Sequence, residues 1–245
     1  MNLGLTGKNA LVMGSSQGIG KAVAQSLINE GANVCLSSRN PETLEKTKNE
    51  IGAVDYIPTD LTQAKAGRTL VETYLSKFPT IDILVINTGG PQKNNFSDVT
   101  SEQWQLDFNS LWMSSVESMQ AALPKMQEQM WGRVLMITSV AGKEPMNGLT
   151  TSNGFRAGLM GLNKSISKEY AQFGITLNVI LPGFTNTDRL KNLNLSDEFV
   201  KSIVPAGRLG EPNELADLAT FLASEKAGYI NGQSIAIDGG YLNSY

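Results

Sequence analysis

The residues with the clearest chemical meaning are Met13-Gly14-Ser15-Ser16-Gln17-Gly18-Ile19-Gly20, three glycines at spacing GxxxGxG that follow an apolar run and open an amphipathic stretch. In that context the pattern builds a phosphate cradle. Gly14 permits a tight turn, Gly18 lets backbone approach a pyrophosphate, Gly20 lets helix and strand pack closely, and Ile19 lies with them at a helix N-terminus that supplies amides and dipole. A dinucleotide is the expected ligand; the plainer alternative is a glycine turn that only starts a helix. The next apolar run ends Leu36-Ser37-Ser38-Arg39, where selection for an unphosphorylated ribose would place a carboxylate. None stands there. Arg39, helped by Ser15, Ser16 and Ser38, could accept a 2′-phosphate through charge-assisted hydrogen bonds, so NADP(H) is expected ahead of NAD(H). A solvated surface arginine is the alternative.

Composition removes most other chemistry. The chain has 245 residues and no histidine, which excludes Ser-His-Asp and Cys-His catalysis and most zinc sites; no metal site is expected. A formal charge of −3 offers no basic field for phosphate backbones, so nucleic acid is not an expected partner. Cys35 is the single cysteine and lies in an apolar run, which precludes an internal disulfide and fits a reducing cytoplasm. The opening residues lack a charged leader with an apolar core, and no apolar stretch is long enough to span a bilayer, so a soluble, unexported protein is expected, with no membrane partner.

The elements that must position the glycine turn alternate along the whole chain. Apolar runs at residues 10–13, 33–38, 54–58, 83–86, 134–138, 176–181 and 234–237 barely alternate in polarity and read as strands buried on both faces. Between them, residues 18–30, 41–51, 64–77, 101–130, 154–173 and 212–224 carry helical periodicity. The expectation is one α/β domain over residues 1–245, a Rossmann-type doubly wound parallel sheet of about seven strands flanked by helices. No repeat or linker marks a second domain. Residues 186–205 are the least regular and lie where a substrate-covering lid is expected.

With these elements in place, the chain resembles the classical short-chain dehydrogenase/reductase family over essentially its whole length, most closely the 3-oxoacyl-[acyl-carrier-protein] reductase group. The resemblance rests on the glycine turn, Thr59-Asp60-Leu61, Asn87-Thr88-Gly89-Gly90, Asn109, Ser139, the run from Pro182 and Gly183 through Thr185 and Thr187 to Asp188, and Asp238-Gly239-Gly240. It implies that Asp60 and Leu61 contact adenine, that Asn87, Thr88 and Gly89 support the adenine ribose, and that Pro182, Gly183, Thr185 and Thr187 hold the nicotinamide end. It also implies a carbonyl-orienting role for Ser139, a water-holding role for Asn109, a small-molecule or acyl-thioester substrate, and a homodimer or homotetramer. Met13 stands where threonine is usual, a mild departure.

The catalytic departure is larger. The family's Tyr-x-x-x-Lys pair falls, in this register, on Ser152-Asn153-Gly154-Phe155-Arg156, so serine replaces tyrosine and arginine replaces lysine. A phenol titrates near pH 10 and can be drawn lower, whereas an aliphatic hydroxyl is a far weaker acid, and Ser152 is too short to reach the phenol's place. Arg156 can still hold the nicotinamide ribose, but a guanidinium keeps its proton and cannot join a relay. Lys143 and Glu144 lie in the adjacent loop and are candidates to reach the pocket. Two readings follow: an NADP(H)-dependent carbonyl reductase with an atypical site, in which water or another group supplies the proton, or an NADP(H)-binding member acting as sensor, regulator or structural subunit. Substrate choice is expected to reside in residues 91–97, 142–151 and 186–205.

Overall fold

The structure, a computed structural model, describes residues 1–191 and 196–244. Seven strands form one parallel sheet: β1 (Asn9–Met13), β2 (Asn33–Ser38), β3 (Asp55–Pro58), β4 (Ile83–Asn87), β5 (Gly132–Ile137), β6 (Ile175–Pro182) and β7 (Ser234–Ile237), in the order β3-β2-β1-β4-β5-β6-β7. The expected fold class is the one observed. The chain winds outward from β1 to β3, then crosses to β4 on the other side of β1, so the order reverses between β1 and β4. Such a switch point opens a crevice beyond the strand C-termini.

The helices are α1 (Gly18–Asn29), α2 (Pro41–Ile51), α3 (Ala66–Lys77), α4 (Ser101–Asp107), α5 (Ser114–Gln129), α6 (Thr150–Tyr170), α7 (Asp188–Lys191), α8 (Asp197–Ile203) and α9 (Pro212–Ala223). Side chains at consecutive strand positions enter opposite cores. Ala10 and Val12 of β1 pack with Val23 and Leu27 of α1 and Leu215 and Leu222 of α9, whereas Leu11 and Met13 pack with Leu70 of α3, Met119 of α5 and Leu159 of α6. Cys35 lies in the second core, and burial pushes its thiol up to about 12, so it is an inert apolar filler.

Beyond shifts of one or two residues at several ends, three segments depart from the sequence reading. The helix expected over residues 101–130 is broken by a π-helical turn, Phe108–Met113, between α4 and α5. Ser114 and Ser115 donate to the carbonyls of Ser110 (2.6 Å) and Leu111 (2.7 Å), back-bonds that bend a helix. On the α3 side, a Cβ at Gly67 would strike the Ser114 carbonyl, so α3 and α5 meet backbone to backbone. Helix α6 starts at Thr150, ahead of the expected residue 154, because the loop before it is pinned by Asn153. The segment at 186–205 contains α7 and α8; residues 192–195 of it lie outside the described residues.

At the N-terminal edge of the sheet, Arg133 of β5 is buried and donates to the carbonyls of Gly132 (2.8 Å), Gly174 (3.0 Å) and Ser224 (3.1 Å). Ser224 is the C-cap of α9 and Gly174 that of the short turn after α6, so two negative helix ends hold the cation. Burial lowers the guanidinium to about 10, and it remains charged at neutral pH.

Candidate cofactor and active site

Strand β1 delivers Gly14 into the crevice at φ +60°, the left-handed region, where an added Cβ would strike the Asn87 carbonyl at the end of β4. The Asn87 side chain donates in return to the Gly14 carbonyl at 3.0 Å. A Cβ at Gly20 would strike that same Gly14 carbonyl. Glycines 14 and 20 and Asn87 therefore interlock, and no side chain fits between the turn and the first helical turn. Helix α1 starts here with no side-chain cap on its N-terminus and no acidic residue in its first turn, whereas Asn40, Thr100 and Ser196 cap α2, α4 and α8. An uncapped positive helix end beside a glycine cradle fits a pyrophosphate.

The neighbouring serines divide in role. Ser15 is fully buried; its hydroxyl donates to the Val12 carbonyl (2.7 Å) and accepts from the Ser37 amide (3.0 Å), and its own amide donates to the Ser37 carbonyl (3.1 Å). The expectation that its side chain assists a 2′-phosphate is therefore corrected: it stitches β1 to β2. Ser16 is half-buried, and its carbonyl accepts from the buried Thr47 of α2 at 2.9 Å, a buttress that the glycine pattern does not signal. The Ser38 hydroxyl is buried with no hydrogen-bond partner among the described residues, and Arg39 beside it is exposed. Asp60 accepts from the Thr62 amide (3.1 Å) and hydroxyl (2.9 Å); chiefly that amide, with a smaller pull from Arg39, holds its carboxyl below the usual range. Arg39 and Asp60 thus share the end of the crevice beyond β2 and β3, while Leu61 is half-buried against the core.

Beyond the strand C-termini one pocket of about 650 Å³ joins these parts. Gly14, Gly18, Ile19, Asn87, Gly89, Ser139, Ser152, Arg156, Pro182, Gly183, Thr185 and Thr187 all line it, which brings the sequence candidates for the pyrophosphate and adenine ribose together with those for the nicotinamide end. Ser15, Ser16, Gly20, Ser38, Arg39, Asp60, Leu61, Thr88 and Asn109 are not on its wall. Thr187 crosses over the turn so closely that a Cβ at Gly18 would meet its methyl group at 3.5 Å. Residues Met146, Leu149, Phe184 and Leu190 form an apolar side; Met146, Leu149 and Leu190 fall in the loops 142–151 and 186–205 expected to set substrate choice, and Phe184 in the run from Pro182 to Asp188.

Ser139 accepts from the Ala141 amide at 3.1 Å, which keeps its oxygen at the strand end and leaves its proton to donate. Ser152 and Arg156, one turn apart on α6, are both buried. The Arg156 Nε donates to the Ser152 hydroxyl at 3.0 Å, and its Nη2 donates to the Gly89 carbonyl. Serine and arginine at these positions form a tie between α6 and the loop after β4. Asn109 sits in the π turn, donates to the Thr62 carbonyl (3.1 Å) and accepts from Gln105 (2.9 Å), so its observed bonds join helix to loop outside the pocket. Lys143 and Glu144 do not line the pocket either. Among the described residues no cluster of side chains could hold a metal ion, and no helix is long and apolar enough to cross a membrane.

A doubly wound sheet with a glycine turn at its switch point defines a Rossmann-type dinucleotide fold. Residues 14–242 match the family model described as enoyl-(acyl carrier protein) reductase. The 3-oxoacyl-[acyl-carrier-protein] reductase FabG of Haemophilus influenzae is 37% identical over 243 residues, covering 98% of this chain and 100% of the relative. Among solved structures, YwfH, an NADPH-dependent reductase involved in bacilysin biosynthesis, superposes with a TM-score of 0.93 at 31% identity, covering 98% of this chain and 100% of that one. A 3-oxoacyl-(acyl-carrier-protein) reductase from Agrobacterium tumefaciens with NADP bound gives a TM-score of 0.92 at 34% identity, covering 98% and 96%. The chain belongs to the short-chain dehydrogenase/reductase family, and the expectation of NADP(H) agrees with the cofactors of these two solved relatives.

Proposed function

We propose that the protein binds NADP(H) and reduces a carbonyl, of a 3-oxoacyl thioester or a small ketone, from a site that lacks the family's acid. The observation that carries this reading is the continuous pocket running from the uncapped end of α1 to Ser139 and Arg156. Gly14, Gly18, Ile19, Asn87 and Gly89 would hold the phosphates and adenine ribose, Arg39 the 2′-phosphate, and Pro182, Gly183, Thr185 and Thr187 the nicotinamide end. When bound, NADPH supplies the hydride. Ser139 donates a hydrogen bond to the carbonyl oxygen, and Arg156 puts fixed positive charge on the wall beside it, favouring the oxyanion that develops. With no phenol or amine at positions 152 and 156, the proton comes from water in the open pocket. General-acid catalysis is typically worth about 10²–10⁴-fold, so turnover is slow relative to a tyrosine-bearing relative.

One observation favours a second reading. The buried tie from Arg156 to Ser152 and Gly89 commits both residues at the catalytic positions to structure, which suits a cofactor-binding sensor, regulator or subunit. NADPH oxidation against 3-oxoacyl thioesters, small ketones and enoyl thioesters separates the two: carbonyl-dependent oxidation above background supports the reductase, and background rates throughout with tight NADPH binding support the binder. Assembly as a homodimer or homotetramer, which family membership favours, is checked by sedimentation; a monomer mass would contradict it.

A further inference from the structure

The segment after β7 is not a loose end. Gly239 and Gly240, at φ +65° and +86°, turn the chain back, and the Asp238 carboxylate fixes that turn by accepting from the amides of Gly240 (3.0 Å) and Leu242 (2.9 Å). Tyr241 then meets Phe184 edge-on at 5.2 Å, and Tyr241 and Leu242 pack on the same core as Met146. One oxygen of Glu144 accepts from the amides of both Asn243 (2.9 Å) and Ser244 (2.6 Å). Phe184 and Met146 are pocket-lining residues, and Glu144 is two residues before Met146.

The loop that Glu144 belongs to is held from the other side as well. The Asn153 side chain accepts from the Met146 amide (3.3 Å) and donates to its carbonyl (2.9 Å). Asn94 donates to the Gly148 carbonyl (2.9 Å) and accepts from the Thr150 amide (3.4 Å), joining this loop to the wall after β4. The substrate-side wall is thus a chain of contacts, and residues 241–244 are one of its anchors. We propose that residues 238–244 position that wall through Glu144, making Glu144 a positioning residue for whatever the apolar side of the pocket binds next to the cofactor. The proposal rests on the reading of this pocket as a substrate site. Two amides on one carboxylate oxygen are charge-assisted bonds, stronger than neutral ones, and the bonds from Ser244 and Asn243 hold the Glu144 carboxyl below its usual range.

The test uses the full chain loaded with NADPH, comparing wild type with Glu144→Ala, Glu144→Gln and Ser244→Pro, the last removing one donor amide without touching the loop. Hydrogen exchange at the Met146 and Leu149 amides should speed up by about tenfold in Glu144→Ala and Ser244→Pro, and less in Glu144→Gln, which keeps a neutral acceptor. KM for a carbonyl substrate should rise by about fivefold, with kcat and the Kd for NADPH held. Wild-type exchange in Glu144→Ala, or an unmoved KM, overturns the proposal. If the wild type turns over no carbonyl, the reductase reading fails, while the exchange rates still decide whether the tail orders the wall.

Discussion

Replacing Gly20 by alanine tests the interlock that shapes the cofactor turn. In an open helical position alanine is favoured over glycine by about 1 kcal/mol. Gly161 of α6, with no atom within 4 Å of an added Cβ, is such a position. At Gly20 the same methyl group would strike the Gly14 carbonyl and lie 2.8 Å from the Asn87 amide nitrogen. Relieving that overlap moves backbone, at about 2 kcal/mol for an overpacked site, and loosens the Asn87–Gly14 bond, worth about 1 kcal/mol. Against the helix gain, the net loss is about 2 kcal/mol. For a domain of this size that lowers Tm by roughly 4–8 °C, whereas Gly161→Ala should raise it slightly. Because the displaced atoms form the phosphate cradle, the Kd for NADPH should also rise about tenfold, equivalent to 1.4 kcal/mol. Thermal unfolding without nucleotide and fluorescence titration of NADPH measure the two effects. A Gly20→Ala protein that melts at or above wild type, or binds NADPH as tightly, would show that Gly14, Gly20 and Asn87 do not interlock as described.

Other consequences are independent of the turn. Arg39→Ala should weaken NADPH binding by about tenfold and leave NADH unchanged; an unaltered ratio of the two affinities removes Arg39 from cofactor selection. Arg133→Met strands the carbonyls of Gly174 and Ser224, so it should cost about 3 kcal/mol, or roughly 6–12 °C in Tm, without changing NADPH affinity at the opposite edge of the sheet. The bidentate partner Arg208 holds Glu214 down to about 2 from its usual 4.5. A depressed carboxyl stabilises the fold above its unfolded value and loses that contribution as pH falls through the folded one. The Tm difference between wild type and Arg208→Gln should therefore be constant above about pH 5 and shrink between 4.5 and 2; a difference that persists undiminished would contradict the pair's role.

The sheet was legible because its strands, buried on both faces, are short continuous apolar runs separated by helical periods, and seven of them were placed to within a few residues. The π turn at Phe108–Met113 was not, since its cause is a set of serine back-bonds and an asparagine reaching a distant carbonyl, none of which disturbs the apolar period. Gly14 announced its tight turn and Gly20 its close packing; that Gly14 also abuts the Asn87 carbonyl is visible only in the fold. Ser15 was misread because a hydroxyl beside a phosphate loop and a hydroxyl stitching two strands look alike in sequence; only burial separates them. The tie from Arg156 to Gly89 spans the fold, and so does the reach of Asn243 and Ser244 to Glu144. No local pattern encodes either.

In the function proposed above, a cofactor site of family type serves a site in which Ser152 and Arg156 stand where the family has its tyrosine and lysine. The most direct measurement is steady-state NADPH oxidation by wild type and by Ser152→Tyr/Arg156→Lys, at matched cofactor saturation, on a 3-oxoacyl thioester. Kd values for NADPH should be similar, and kcat should be at least about a hundredfold higher in the double variant. A wild-type kcat equal to that of the double variant, with NADPH bound to both, would contradict that expectation.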